Sequence, residues 1–330
     1  MNSTITKKLF LILGIITFLL GFLMVISHIK SGAYIVLFGI VLLGLTIIPK
    51  ILGSIIFGSE ENRNTNFPNI SQSIGITAIN VLMVILTVKV KSGLNDLIGK
   101  EASMLICELL AVGIPLGIAY SLRKKLTNNY SFNLKIKNKR IVPFIVIGSV
   151  LLLFGIAAPI GNLIPMPESF KRALMDFGSQ TGVFTFLLLV IAAPVLEELL
   201  FRGIILDGLL NKYSPLISIL ISSILFGVAH LNPWSFVNGF IIGIFSGWVY
   251  FKTRSVLPSV IIHASANLSG FLFKYFVDIN SLMNDSLVEI FGGVTNLILM
   301  IIGSIIIVTI CICFLIKEFN KESALVQTNQ

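Results

Sequence analysis

Charge is scarce in this sequence. Only 12% of its 330 residues are Asp, Glu, Lys or Arg, 55% are hydrophobic, and the mean hydropathy is +0.98. That balance excludes an ordinary soluble domain and leaves a polytopic membrane protein. Cysteine is almost missing as well. Cys107, Cys311 and Cys313 stand in apolar runs without metal-like spacing, which excludes a disulfide framework and a thiolate zinc site and leaves packing. Histidine occurs three times, and no His-Glu-x-x-His pattern is present. The net charge of +9 would suggest nucleic acid in a soluble protein. Here Lys and Arg cluster between apolar segments, where they set topology, so no nucleic-acid partner is expected.

What the chain has in quantity is long apolar runs. Taken at about 17 to 25 residues each, they read as ten spans, near 9–27, 33–49, 71–88, 102–121, 141–163, 182–201, 215–230, 234–251, 256–273 and 290–316. The expected fold class is all-α, a polytopic transmembrane helical bundle of about ten membrane spans. Lys7 and Lys8 before the run Leu9 to Ile26 resemble a secretory signal, but the run ends without a small-x-small site, so an uncleaved first span is expected. His28 near its end reads as an interfacial residue. From Arg123 to Arg140 there are seven basic residues and no acidic one, a strong cytoplasmic anchor that reads as a plain positive-inside loop ahead of a contact for anionic lipid. The basic bias places both termini in the cytoplasm of an integral membrane protein. Ile, Lys and Asn usage resembles that of a low-GC bacterium, which makes a bacterial plasma membrane the expected site.

One segment breaks the pattern. In residues 167–177 large apolar side chains recur at Phe170, Leu174 and Phe177 beside Lys171, Arg172 and Asp176, as in an interfacial amphipathic helix serving as a connector or a lid. A composition shift divides the chain near residue 140. Residues 1–140 hold N-terminal transmembrane helices and the basic loop, with Glu108 their one buried acid and no role assigned. Residues 141–275 form the core, and 276–330 a C-terminal helix and short tail. No internal repeat stands out.

The chemistry collects in three short patterns within apolar stretches: Glu197-Glu198-Leu-Leu-Phe-Arg202, Phe226-Gly-Val-Ala-His230, and His263-Ala-Ser-Ala-Asn267. An ionisable group at bilayer depth costs roughly 2.5 to 3.5 kcal/mol on insertion scales, so such groups usually serve function. Glu198 and Arg202 are four apart on a helix and can pair. Glu197 points about 100° away; outside that local pair and partly buried, it suits a general base. His263 and Asn267 share a face and can both donate to an oxygen gaining negative charge. His230 can orient a water or shuttle a proton, with Phe226 four residues before it in support. Measured along the spans, Glu197 and His263 fall near mid-membrane while His230 falls near the far side. One site containing all three therefore requires the seventh helix to start deeper, to tilt, or to be followed by a re-entrant Leu231 to Ser235.

In order and context the three patterns resemble the CAAX prenyl protease and bacteriocin-processing family, CPBP, which includes the type II CAAX endopeptidases and bacterial abortive-infection-type proteins. Pro194, Gly203 and the run from Trp248 through Tyr250 to Arg254 add to the likeness, which covers about residues 141–275. The resemblance implies a membrane-embedded endopeptidase with Glu197 as catalytic base, Glu198 and Arg202 supporting it, His230 assisting water activation, and His263 with Asn267 stabilising the oxyanion. Family members are commonly called metalloproteases. A zinc, if present, would fall to Glu197, His230 and His263, but with two imidazoles on separate helices a glutamate-activated water without metal is the expectation. The partners expected are a peptide or protein substrate in the membrane and the lipid bilayer. A non-proteolytic scaffold or bacteriocin-immunity protein is the alternative, and a coupled transporter ranks below it for want of paired broken helices or an inverted repeat.

Overall fold

Helices and closed barrels are the structures that satisfy every backbone group inside an apolar environment. The computed structural model describes residues 67–129, 131–277, 281 and 285–328, and among them there is helix and no strand. The first two expected spans, with Lys7, Lys8 and His28, lie outside the described residues. The other eight are helical, seven of them long and apolar enough to cross a membrane. The chain is an all-α polytopic membrane protein.

The helices run in order: α1 Ile70–Ile98, α2 Lys100–Thr127, α3 Lys139–Asn162, α4 Glu168–Gly178, α5 Val183–Leu210, α6 Pro215–Ala229, α7 Pro233–Thr253, α8 Val256–Phe273 and α9 Val294–Thr328. The chain divides into two compact units, the second beginning at Ser131. In the first, Asn69 and Gln72 cap α1 reciprocally. Gly99, at φ +80°, turns the chain from α1 into α2. The two helices are tied by Asn80, whose Nδ2 donates to the Ala111 carbonyl at 2.9 Å. Cys107 is buried between them, and Glu108 is half-buried.

The second unit starts ten residues before the composition shift, because residues 132 and 133 are bound into it. The Asn133 carbonyl accepts the Val256 N–H at 2.8 Å and the Ser255 hydroxyl at 3.1 Å, and its Nδ2 donates to the Arg254 carbonyl at 2.9 Å. These bonds hold the turn between α7 and α8, where Arg254 adopts a left-handed conformation. A core of Ile141, Ile145, Ile242, Phe245, Ile262, Ala266, Val308 and Leu315 joins α3, α7, α8 and α9. Cys311 is buried on α9, whereas Cys313 is exposed and is not the packing residue expected of all three cysteines. The amphipathic segment is α4, and Phe170 on it stacks against Trp234 at 4.6 Å.

Two features correct the simple picture of straight spans. Both α3 and α5 contain π-helical turns, Leu153–Ala157 and Leu187–Ala192, each followed two residues later by a proline. A proline inside a helix removes one ladder bond and crowds the preceding turn, and a wider turn relieves the clash. The tetrapeptide Ile-Ala-Ala-Pro occurs at both places, at 156–159 and 191–194, a local recurrence the sequence reading passed over. Secondly, α6 is only 15 residues, about 22 Å, short of the roughly 30 Å hydrocarbon thickness. It ends at Ala229, and a tight turn through Leu231 at φ +58° leads into α7 at Pro233. Asn232 fixes that turn: its Oδ1 accepts the Ser235 N–H at 2.7 Å and its Nδ2 donates to the His230 carbonyl at 2.9 Å. The helix starts where the sequence placed it, and a tight turn rather than an extended re-entrant segment follows it.

The closest approach within this unit is at Gly155, where an added Cβ would stand 2.1 Å from Cβ of Ser304. Gly155→Ala is expected to lower stability by about 1–3 kcal/mol through overpacking. Adding Ser304→Gly should recover most of the loss, as read by thermal unfolding of the purified protein in detergent.

Candidate active site

Between its two π-turns α5 has one regular stretch, Ala193–Leu200, and both glutamates stand on it. Glu198 is fully buried. Its Oε1 lies 3.0 Å from Nη1 of Arg202, itself fully buried, so the expected ion pair forms. Two more helices complete the shell around this carboxylate. From α8, His263 Nδ1 reaches Glu198 Oε1 at 3.2 Å; from α7, the Ser246 hydroxyl donates to Oε2 at 3.4 Å. A carboxylate can only accept, so His263 carries its proton on Nδ1, and its Nε2 is turned toward Glu197, 3.9 Å from Oε2. The imidazole thus stands between the two acids. Glu197 retains some exposure, 15% for its side chain, against none for Glu198.

Arg202 is held from three sides. Besides Glu198, its Nη2 donates to the Gly243 carbonyl at 3.2 Å, and its guanidinium lies 4.4 Å over the Phe226 ring. Phe226, whose role in sequence was only that of companion to His230, is a hub. Its ring meets His230 at 5.1 Å, His263 at 5.5 Å and Phe201 at 5.1 Å, all edge to face. His230 Nδ1 lies 2.9 Å from the Phe226 carbonyl, which can only accept, so Nδ1 is protonated there and Nε2 is left as an acceptor in the neutral ring. A side chain at Gly239 would meet the His230 ring at 3.4 Å. Gly239 is six residues into α7, about 9 Å along its axis, so the imidazole hangs back into the bundle from the end of α6.

Asn267 is placed differently from the expectation. Its Nδ2 donates to the carbonyl of Leu189, in the π-turn of α5, at 2.9 Å. It stands one turn beyond His263 on α8, with one of its two N–H groups engaged by backbone.

Sequence reasoning missed Gly243, Ser246 and the small residues around them. Gly239, Gly243 and Gly247 recur every fourth residue on α7 and face Gly227, Ser223 and Ile219 on α6, an antiparallel register in which added Cβ atoms would come within 3.1 to 3.4 Å. The Gly-x-x-x-Gly-x-x-x-Gly spacing is the signal that could have found this close pairing. It brings the Gly243 carbonyl to Arg202. Farther along, Tyr250 donates to Asp207 at 2.9 Å and Arg254 lies 3.5 Å from the same carboxylate, which ties the ends of α5 and α7.

Comparison with known proteins adds an independent observation. Residues 179–269 match the family model described as Type II CAAX prenyl endopeptidase Rce1-like. This segment is similar to that family. It holds all three motifs, from Glu197 to Asn267, and is narrower than the 141–275 read from the residues, since α3 lies outside it. A UPF0177 protein, YxdF, of Lactococcus lactis is 38% identical over 84 residues, 25% of this chain and 46% of that protein. An uncharacterized 24.3 kDa protein of Escherichia coli is 30% identical over 139 residues, 40% of this chain and 64% of that one. The chain thus spans less than two thirds of the length of either relative. No solved structure matches it.

The donor set of the Rce1-like segment does not gather for a metal. Among the described residues no three His, Cys, Asp or Glu side chains stand close enough to hold an ion, although both imidazoles bond protein oxygens through Nδ1 and so leave Nε2 open, as a metal-binding histidine does. The zinc set Glu197, His230 and His263 does not fit as it stands. A cavity of about 550 Å³ opens under α4, walled by Phe154, Lys171, Trp234, Asn238 and Phe273. None of the six polar motif residues lines it, though Asn238 adjoins the glycine that packs on His230.

Removing one member of a buried pair strands the other charge, at about 3–5 kcal/mol. Arg202→Leu should cost that much, and a second change, Glu198→Leu, should restore a large part of it, as read by thermal unfolding in detergent.

Proposed function

We propose that this chain is a membrane-embedded endopeptidase of a bacterial plasma membrane, with both termini cytoplasmic, that hydrolyses a peptide or protein substrate by a glutamate-activated water. The observation that carries the proposal is the position of His263, which reaches Glu198 at 3.2 Å and Glu197 at 3.9 Å from a different helix. A merely structural ion pair needs neither the second acid nor an imidazole turned toward it. The match to an endopeptidase family over the same residues, and the bacterial source of both relatives, support the reading.

Arg202 neutralises Glu198, and Glu198 orients His263 through Nδ1. Glu197, the more exposed acid, takes a proton from a water while His230 Nε2 orients it. The oxygen attacks the peptide carbonyl, and His263, carrying a proton on both ring nitrogens in this step, holds the oxyanion that forms by a hydrogen bond from Nε2 and keeps that proton as the intermediate collapses. Glu197 then returns its proton to the leaving amine, so atoms and charge balance with no further reagent. With one N–H of Asn267 committed to Leu189, oxyanion stabilisation falls first on His263. The substrate is a membrane-associated peptide or protein segment.

Peptides recovered from membranes exposed to the wild-type protein and to Glu197→Gln test this. A general base contributes typically 10²–10⁴-fold, so a set of cleavage products present with wild type should fall by at least about a hundredfold in the variant. An unchanged product set would show that Glu197 is no base and would favour a binding or immunity role.

A further inference from the structure

The hydrogen bond from Asn267 to Leu189 has a cause in the α5 backbone. In the π-turn Leu187–Ala192 the ladder runs one residue longer than in an α-helix, and the Ala193 N–H accordingly bonds the Leu188 carbonyl, five residues back. The next bond in that register would run from residue 194 to the Leu189 carbonyl. Residue 194 is proline and has no N–H. The carbonyl it leaves open is the one that Asn267 Nδ2 fills at 2.9 Å, from a helix 78 residues away in sequence.

We infer that Asn267 is a positioning residue: it supplies the N–H that Pro194 lacks, and so fixes the π-turn that aims Glu197 and Glu198. A π-turn inserts one residue, so the face presented by everything after it turns by about 100° relative to an unbroken helix. Pro194 stands three residues before Glu197, less than one turn. Were the bulge to migrate or heal, the two acids, with Arg202 beside them, would turn away from Ser246 and His263 on the neighbouring helices. His263 and Asn267 are one turn apart on α8, so this helix grips α5 twice, by an imidazole at the acids and by an amide at the bulge. The carbonyl can only accept, which fixes the amide with nitrogen toward Leu189. The oxygen, which cannot stabilise an oxyanion, faces away from that carbonyl.

Only the activity arm of the test rests on the peptidase reading. Asn267→Ala is made in two backgrounds, wild type and Pro194→Ala, where the alanine either donates to Leu189 in the π register or lets the turn relax to α. If Pro194→Ala does not fold, Pro194→Ser provides the same N–H. In the proline background Asn267→Ala should lower the midpoint of thermal unfolding in detergent by about 3 °C. It should also lower kcat about tenfold or more with KM nearly unchanged, as expected of misplaced catalytic groups. In the alanine background both losses should shrink to less than half.

Equal losses of midpoint in the two backgrounds overturn the proposal, because Asn267 would then not be answering for the missing N–H. A midpoint loss that shrinks while the loss of kcat stays whole also overturns it, since Asn267 would then act on the substrate rather than through the helix. If the wild-type protein cleaves nothing, the peptidase reading fails by itself. The melting cycle then decides alone: a loss confined to the proline background supports the proposal, and an equal loss overturns it.

Discussion

A carboxylate with no access to solvent must be neutralised where it stands, and Glu198 meets that demand with groups from three helices. Arg202 comes from its own turn, Ser246 from α7 and His263 from α8. Each partner is constrained in turn. The guanidinium needs a further acceptor and finds the Gly243 carbonyl, which it reaches only because glycine brings the α7 backbone close. The imidazole needs its second nitrogen placed, and Glu197 lies opposite it. Burial of one charge therefore dictates helix spacing, small residues at the crossing and the orientation of the histidine. Such a network is weak evidence for stability, since an apolar replacement of the whole set can be neutral or better. Its retention in a hydrophobic interior is more readily explained by what it orients.

Orientation also accounts for the irregular backbone. Ideal helices would present residues at fixed angles, and α5 departs from ideality on both sides of the acids, with π-turns before and after Ala193–Leu200. The short α6 and the turn through Leu231 return His230 toward Phe226, whose ring touches both histidines and the guanidinium. An aromatic ring can serve all three because its electron-rich face attracts the cation while its edges meet the imidazoles.

Much of this was legible in residues alone, and the divide follows the range of the interactions. Helical periodicity is local, so the pairing of Glu198 with Arg202 could be read from spacing four. The amphipathic α4 could be read from the recurrence of Phe170, Leu174 and Phe177. Apolar length marked the spans, eight of which fall on described helices. What depends on two helices meeting was not legible: Ser246 on Glu198, the Gly243 carbonyl on Arg202 and the hub at Phe226. For Asn267, side-chain chemistry suggested a donor, and the acceptor proved to be the Leu189 backbone. Two signals were present and unread, the fourfold glycine spacing on α7 and the doubled Ile-Ala-Ala-Pro. The segment at 131–138 looked like a plain basic loop because nothing in its composition shows that Asn133 binds a turn 121 and 122 residues farther along the chain.

The extent of the family match bears on what the rest of the second unit does. Residues 179–269 contain every polar group of the site, yet the core that fixes α7 and α8 is completed by Ile141, Ile145 and Leu152 of α3 and by Val308, Leu315 and Phe319 of α9, all outside the match. Phe144 of α3 stacks on Phe314 of α9 at 3.7 Å. These two helices contribute apolar packing rather than chemistry. Apolar packing tolerates extensive substitution when volume is kept, whereas a buried carboxylate with three specified partners does not. A family model would then register the segment with the acids and lose the signal at the helices that only brace it, even where the fold continues through them.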